Sequence, residues 1–298
     1  MRTKMLRLSA VMLVAAADQP TSLTLSGDNI VSVTINGEQV RIKADPAYAG
    51  LVTVNTDIMA RARLKPGMIG GLHFVGPVRL AFRSDAAKLN YGFGVSKRRV
   101  MWPDRQIVAG VDGIAGPNAL PWSRLTFTTG SKAEGEQEID LPLEVAGPFG
   151  WRGSITKLKL GDQEINVWFS LMLPQSLATA GLGAELARTN GGAMTGAAHS
   201  TVIRFGIERP VRTMHLSTPL LIGGRPLSEL GVRMADFGDA SGIPEAGAKS
   251  DPDEIVVTAE KKGKRDYSLL LGRDFLTGCS SITYDFPAKL IRLSCLRS

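Results

Sequence analysis

The sequence predicts an all-β fold arranged as two pseudo-symmetric lobes. Three observations carry that prediction: a hairpin pattern written twice, a strand, glycine and leucine block written twice, and a polar stretch between the copies. At 298 residues the chain is also past the size where one core stops growing, so two units of roughly 120 to 150 residues are expected.

Residues 1–17, MRTKMLRLSAVMLVAAA, set Arg2, Lys4 and Arg7 before an apolar run that ends in small residues. That order is the pattern of a secretory signal peptide cleaved near Ala17, with retention as a membrane anchor as the alternative. Beyond it no segment reaches the roughly 18 apolar residues of a spanning helix, so no stable membrane insertion is expected after cleavage. Removing the three basic residues of the leader lowers the net charge from +7 to +4. The remaining cations are scattered rather than gathered on a face, which argues against a nucleic acid partner.

The first hairpin is VSVTINGEQVRIKAD, with Val31, Val33 and Ile35 alternating before Asn36-Gly37 and Val40 and Ile42 after it. The second is ITKLKLGDQEINVWFS, with Ile155, Leu158 and Leu160 before Gly161-Asp162 and Ile165, Val167 and Phe169 after it. Aligning Val40 with Ile165 sets Asp45 against Ser170. Each copy continues into a short helix, TDIMARARL in the first and LGAELAR in the second. Further on, GIAGPNALPWSRLTF parallels LLLGRDFLTGCSSITYDF, matching Gly116, Asn118 and Leu120 to Gly272, Asp274 and Leu276. A design repeated in this order implies two β-rich lobes about an approximate two-fold axis, with a cleft between them.

The polar stretch TTGSKAEGEQE divides the copies, giving residues 18–140 and 141–298 as the lobes. A Gly, Ala, Asp and Pro-rich stretch at 237–254 reads as a surface excursion of the second lobe, with EIVVTAEKKGKRD returning as a hairpin. The only cysteines are Cys279 and Cys295. In an exported chain that even count suggests one disulfide closing the C-terminal hairpin, and two buried free thiols would read the same way. His73, His199 and His215 are dispersed and form no metal-ligand spacing, so no metal is expected. The chain carries no G-x-S-x-G, dinucleotide or P-loop pattern, so no cofactor is expected either.

The twice-written design resembles the retropepsin-like and pepsin-like aspartyl proteases in their bacterial two-lobed form. The carriers are VTINGEQVRIKAD with GIAGPNAL in one half, and EINVWFS with LLLGRDFLTG and ITYDFPAKLIRL in the other, over roughly residues 28 to 296. The resemblance implies two aspartyl-protease-like β-barrel lobes with short helices and a central cleft. It puts Asp45 at the first catalytic aspartate, with Pro46 and Ala47 where the family has Thr or Ser and Gly. Ser170-Leu171-Met172 stands where the second Asp-Thr/Ser-Gly belongs, so Ser170 occupies the second aspartate position. It also implies a flap over the cleft between Gly70 and Val95, with GFGV as the bending point.

Aspartyl proteolysis needs two carboxylates that share a proton and take the roles of base and acid. A serine hydroxyl neither titrates in that range nor splits its neighbour's pKa. Asp57, Asp112, Asp236, Asp274 and Asp285 are the other acids weighed as a partner for Asp45, along with a second copy of Asp45 from a homodimer. Ser170 as a nucleophile would need His199 or His215 as its base. The expected function is therefore a periplasmic or secreted, catalytically degenerate protein that binds a peptide or protein in its interlobe cleft. The alternatives are an active aspartic endopeptidase using Asp45 in a non-standard site, and a structural envelope protein. Trp102, Trp122, Trp151 and Trp168 are expected to close cores or strand edges, and Lys97-Arg98-Arg99 to be a solvated hairpin end.

Overall fold

The computed structural model describes residues 21–48, 50–234, 243, 245–246 and 266–297. The expected leader, nearly all of the excursion at 237–254 with its returning hairpin, and Asp236 lie outside the described residues.

After β1 (Ser22–Leu25), the first lobe comprises β2 (Ile30–Ile35), β3 (Glu38–Ala44), β4 (Val52–Val54), α1 (Thr56–Arg61), β5 (Gly70–Val75), β6 (Val78–Asn90), β7 (Val95–Pro103) and β8 (Gly113–Ala115). Next come β9 (Arg124–Thr128) and β10 (Gln137–Pro142). The second lobe follows with β11 (Glu144–Ala146), β12 (Gly153–Leu160), β13 (Gln163–Phe169), β14 (Leu177–Ala178), α2 (Ala180–Asn190), β15 (Gly192–Arg204), β16 (Ile207–Ile222), β17 (Arg225–Arg233) and β18 (Ser268–Leu271). β19 (Cys279–Asp285) and β20 (Leu290–Cys295) end the fold.

The two lobes have the same topology. In the first, the strand order is β2-β3-β8-β4-β7-β6-β5, and a further β2–β6 pairing closes six of these strands into a barrel. In the second, the order β12-β13-β18-β14-β17-β16-β15 matches strand for strand, with β11 added beside β12. The senses agree as well: β3 runs parallel to β8 as β13 does to β18, and β4 parallel to β7 as β14 does to β17.

Local sequence explains the pieces. Asn36 and Gly37 adopt positive φ of 52° and 92°, which turns β2 into β3 and keeps Val31, Val33 and Ile35 on the buried side. LGAELAR lies inside α2, which Thr179 caps by accepting from the Leu182 N–H at 3.4 Å and Gly191 ends in the left-handed conformation.

A five-stranded sheet, β1-β9-β19-β20-β10, draws on both halves of the chain. At its centre the corresponding strands β9 and β19 run antiparallel, with Thr126 opposite Thr283 and their hydroxyls 2.9 Å apart. Residues 140 and 141 lie within β10 of this sheet. Arg124 donates to Asp285 through Nε at 2.9 Å and Nη2 at 2.6 Å, so Asp285 ties β9 to β19 as well as bracing the last turn through the Ala288 N–H. Cys279 and Cys295 form a disulfide between β19 and β20. One apolar core fills the lobes and reaches the shared sheet through Phe127, Tyr284 and Leu293. A second core, including Ala47, Tyr48, Phe82, Trp168, Phe205 and Leu270, joins side chains of both lobes. Among the described residues no helix is long and apolar enough to cross a membrane.

Candidate active site

Asp45 and Ser170 leave equivalent strands and meet. The Asp45 N–H donates to the Ala115 carbonyl at 3.0 Å, and the Ser170 N–H donates to the Leu271 carbonyl at 2.8 Å. Each bond joins the end of a hairpin strand to the neighbouring parallel strand just before Gly116 or Gly272. Each side chain also accepts from the amide two residues on: Ala47 N–H to Asp45 Oδ1 at 2.9 Å, and Met172 N–H to Ser170 Oγ at 3.2 Å.

The symmetry ends at the next contact. Asp45 Oδ2 accepts from Leu171 N–H at 2.8 Å, Met172 N–H at 3.0 Å and Ser170 Oγ at 3.3 Å. The reverse bond, from residue 46 to Ser170, has no donor because Pro46 lacks an N–H. Asp45 is wholly buried. Burial raises its pKa above the ordinary 3.8, while the Ala47, Leu171, Met172 and Ser170 donors pull it down. Beneath it Tyr284 is also fully buried, and desolvation followed by the Asp45 charge pushes its phenol well above the ordinary value.

No second carboxylate bonds to Asp45 among the described residues. Asp112 accepts from the Arg41 N–H at 2.7 Å, Asp274 holds the Ser176 N–H and hydroxyl at 2.8 Å each, and Asp57 faces Arg61 at 3.8 Å. Ser170 has no histidine partner either. His215 pairs with Glu229 at 3.0 Å, His199 is exposed on β15, and the Ser170 hydroxyl accepts from Met172 and Leu173 while donating to Asp45.

The space over Asp45 is closed by a tip that the sequence reading did not identify. Between β15 and β16, Phe205 and Gly206 adopt positive φ of 55° and 69° and carry Phe205 across to the first lobe. There its ring meets Tyr48 at 5.4 Å, His73 at 5.0 Å and Phe82 at 5.2 Å. The neighbouring Arg204 donates to the Ala47 carbonyl and lies over the Tyr48 ring at 5.5 Å. The Phe205 N–H donates to the Tyr48 hydroxyl at 3.4 Å. Desolvation, then the Asp45 charge, pushes Tyr48 up to about 12. Burial, with Arg204 and Arg233 nearby, pushes His73 down to about 3, so it is neutral across ordinary pH.

A cavity of about 670 Å³ lies outside this seal, lined among others by Gly71, His73, Trp151, Asn166, Trp168 and Tyr267. Arg204 and Phe205 line it too, but Asp45 does not. Two of the four tryptophans therefore reach the cleft, while Trp102 and Trp122 close cores as expected. Arg99, expected in a solvated hairpin end, instead donates to Ser84 Oγ at 2.8 Å.

The hairpin over the cleft is β5–β6, whereas the GFGV stretch lies at the opposite end of β6, between β6 and β7. That end is fixed by Tyr91, Phe93 and Trp122, whose rings pack at 5.4 to 6.3 Å, so GFGV is not the bending point of this hairpin.

No family model matches the chain, and no curated protein matches it. Among solved structures, the aspartic proteinase from Irpex lacteus aligns with 90% of this chain and 94% of its own at 12% identity and a TM-score of 0.43.

Proposed function

We propose that this is an exported, aspartic-protease-like binding protein without peptidase activity, and that it holds an extended peptide or protein segment in the interlobe cleft. One observation carries the reading. Asp45, the residue that would do the chemistry, is wholly buried, accepts four hydrogen bonds and is bonded to no second carboxylate among the described residues. A lone carboxylate in that state cannot divide the base and acid roles between two groups. An extended segment binds through backbone partners and pockets for alternate side chains, and a cavity whose aromatic and polar lining comes from both lobes supports this reading. The disulfide fits an oxidising compartment such as the periplasm or the exterior.

The test offers a diverse peptide library to the purified protein from acid to neutral pH, with Asp45→Asn and Ser170→Ala in parallel. No cleavage above background is expected from any of the three. Cleavage that disappears only in Asp45→Asn would establish the endopeptidase alternative instead. Peptides retained by the wild type are then compared with those retained by Asn166→Ala, altered in the cavity wall. Retention is expected to fall in the variant, and undiminished retention would move binding away from the cleft.

A further inference from the structure

The β5–β6 hairpin has two faces, and only one faces the cleft. His73 and Phe82 point inward to Phe205. The cross-strand pairs Gly70–Arg83, Leu72–Ala81 and Phe74–Arg79 set Leu72, Phe74, Ala81 and both arginines together on the outer face. Met68 and Ile69 precede β5 at the Arg83 end of the hairpin and are exposed as well. Relative exposure is 105% for Met68, 52% for Leu72, 50% for Phe74 and 47% for Ile69. Single exposed apolar residues are ordinary, but four within seven positions, two on β5 and two just before it, form a patch.

Cations border the patch. Lys65, Arg79 and Arg83 are exposed, and among the described residues no ion pair engages them. The neighbouring acid, Asp85, directs its carboxylate to the N–H groups of Lys65 at 2.9 Å and Ala86 at 2.7 Å.

We propose that this outer face docks onto an anionic lipid bilayer. Apolar side chains enter the boundary between headgroups and acyl chains, while Lys65, Arg79 and Arg83 lay their stems along the apolar surface and reach the lipid phosphates. A second copy of the chain does not fit, because pairing the face with itself would oppose like charges. A strand added to β5 would use its backbone edge and project residues to both sides. The exposed apolar residues of β5 instead all project to one side, as a planar partner requires. Leu72 and Phe74 also rim the cavity, so docking sets the cleft mouth at headgroup level.

The experiment uses the full chain carrying Met68→Cys labelled with an environment-sensitive dye, and vesicles of phosphatidylcholine with or without phosphatidylglycerol. The expected result is a blue shift only with phosphatidylglycerol, reversed by added salt. The same dye at Leu221→Cys, an exposed position on β16, should stay unshifted. Adding Arg79→Gln and Arg83→Gln should raise the lipid needed for half the shift by about tenfold or more, since each cation near an anionic surface contributes about a factor of five. These arginines are exposed, so the fold survives their replacement. The dye reads the patch itself, so binding through the N-terminal apolar segment does not mimic the result. No shift at position 68, an equal shift without phosphatidylglycerol, or an equal shift at position 221 overturns the proposal.

Discussion

The loops Asp45-Pro46-Ala47 and Ser170-Leu171-Met172 occupy the same place in two copies of one topology, yet they work in opposite directions. The second loop gives: Leu171 N–H, Met172 N–H and the Ser170 hydroxyl all point at Asp45 Oδ2. The first loop receives, and Pro46 has no amide to return. Two matched carboxylates on this scaffold would repel and share a proton. A carboxylate facing a hydroxyl and two amides becomes a one-way hydrogen-bonded clamp between the lobes. The difference shows that two loops with the same place in a repeated topology can hold unlike roles, one giving hydrogen bonds across the lobes and the other receiving them, according to the residues at three positions in each copy.

The comparison breaks most severely at the seal. Phe205→Ala removes the ring on which Tyr48, His73 and Phe82 converge, and should cost about 3–5 kcal/mol in urea unfolding. It should also make the Asp45 loop exchange amide protons faster than the rest of β3. Ser170→Ala comes next, at about 1–2 kcal/mol, because it leaves the Leu173 N–H without its acceptor and takes one donor from Asp45. Pro46→Ala gives the first loop the amide that the second already has. Its expected effect is about 0.5–1 kcal/mol, through greater freedom of the unfolded chain, with no gain of cleavage in the peptide assay.

The smallest effect is a pH slope. Burial raises the Asp45 pKa above 3.8, so between that value and the raised one the native chain binds more protons than the unfolded chain. The contribution of this group to stability therefore falls as pH rises through that window. Asp140 and Glu245 are held below their ordinary values by Arg292 and Arg212 and slope the other way. The difference between wild type and Asp45→Asn isolates the Asp45 part, and a difference that grows in the opposite sense would show the four donors outweighing desolvation.

Much of the fold was legible because its signals are local. Alternation around Asn36-Gly37 and Gly161-Asp162 defines two hairpins, and their alignment alone sets Asp45 opposite Ser170, which the structure brings within 3.3 Å. The seal was not legible. Arg204 and Phe205 meet Ala47 and Tyr48 from 157 positions away, and no periodicity in β15 or β16 reports that contact. Glycines misled in the other direction. Gly92 and Gly94 have the conformational freedom of a hinge, but the packing of Phe93 between Tyr91 and Trp122 decides what that stretch does.

Urea unfolding of Asp45→Asn at neutral pH tests most directly whether Asp45 is a structural acceptor. Groups kept for catalysis commonly cost stability, so replacing one leaves a protein as stable or more so. A buried acceptor behaves the other way, because asparagine offers one oxygen where two were used and turns an N–H₂ toward amide donors. The expected result is a loss of about 2–4 kcal/mol with an unchanged denaturant slope. A variant equal to or more stable than the wild type would contradict the structural role and return Asp45 to the candidates for catalysis.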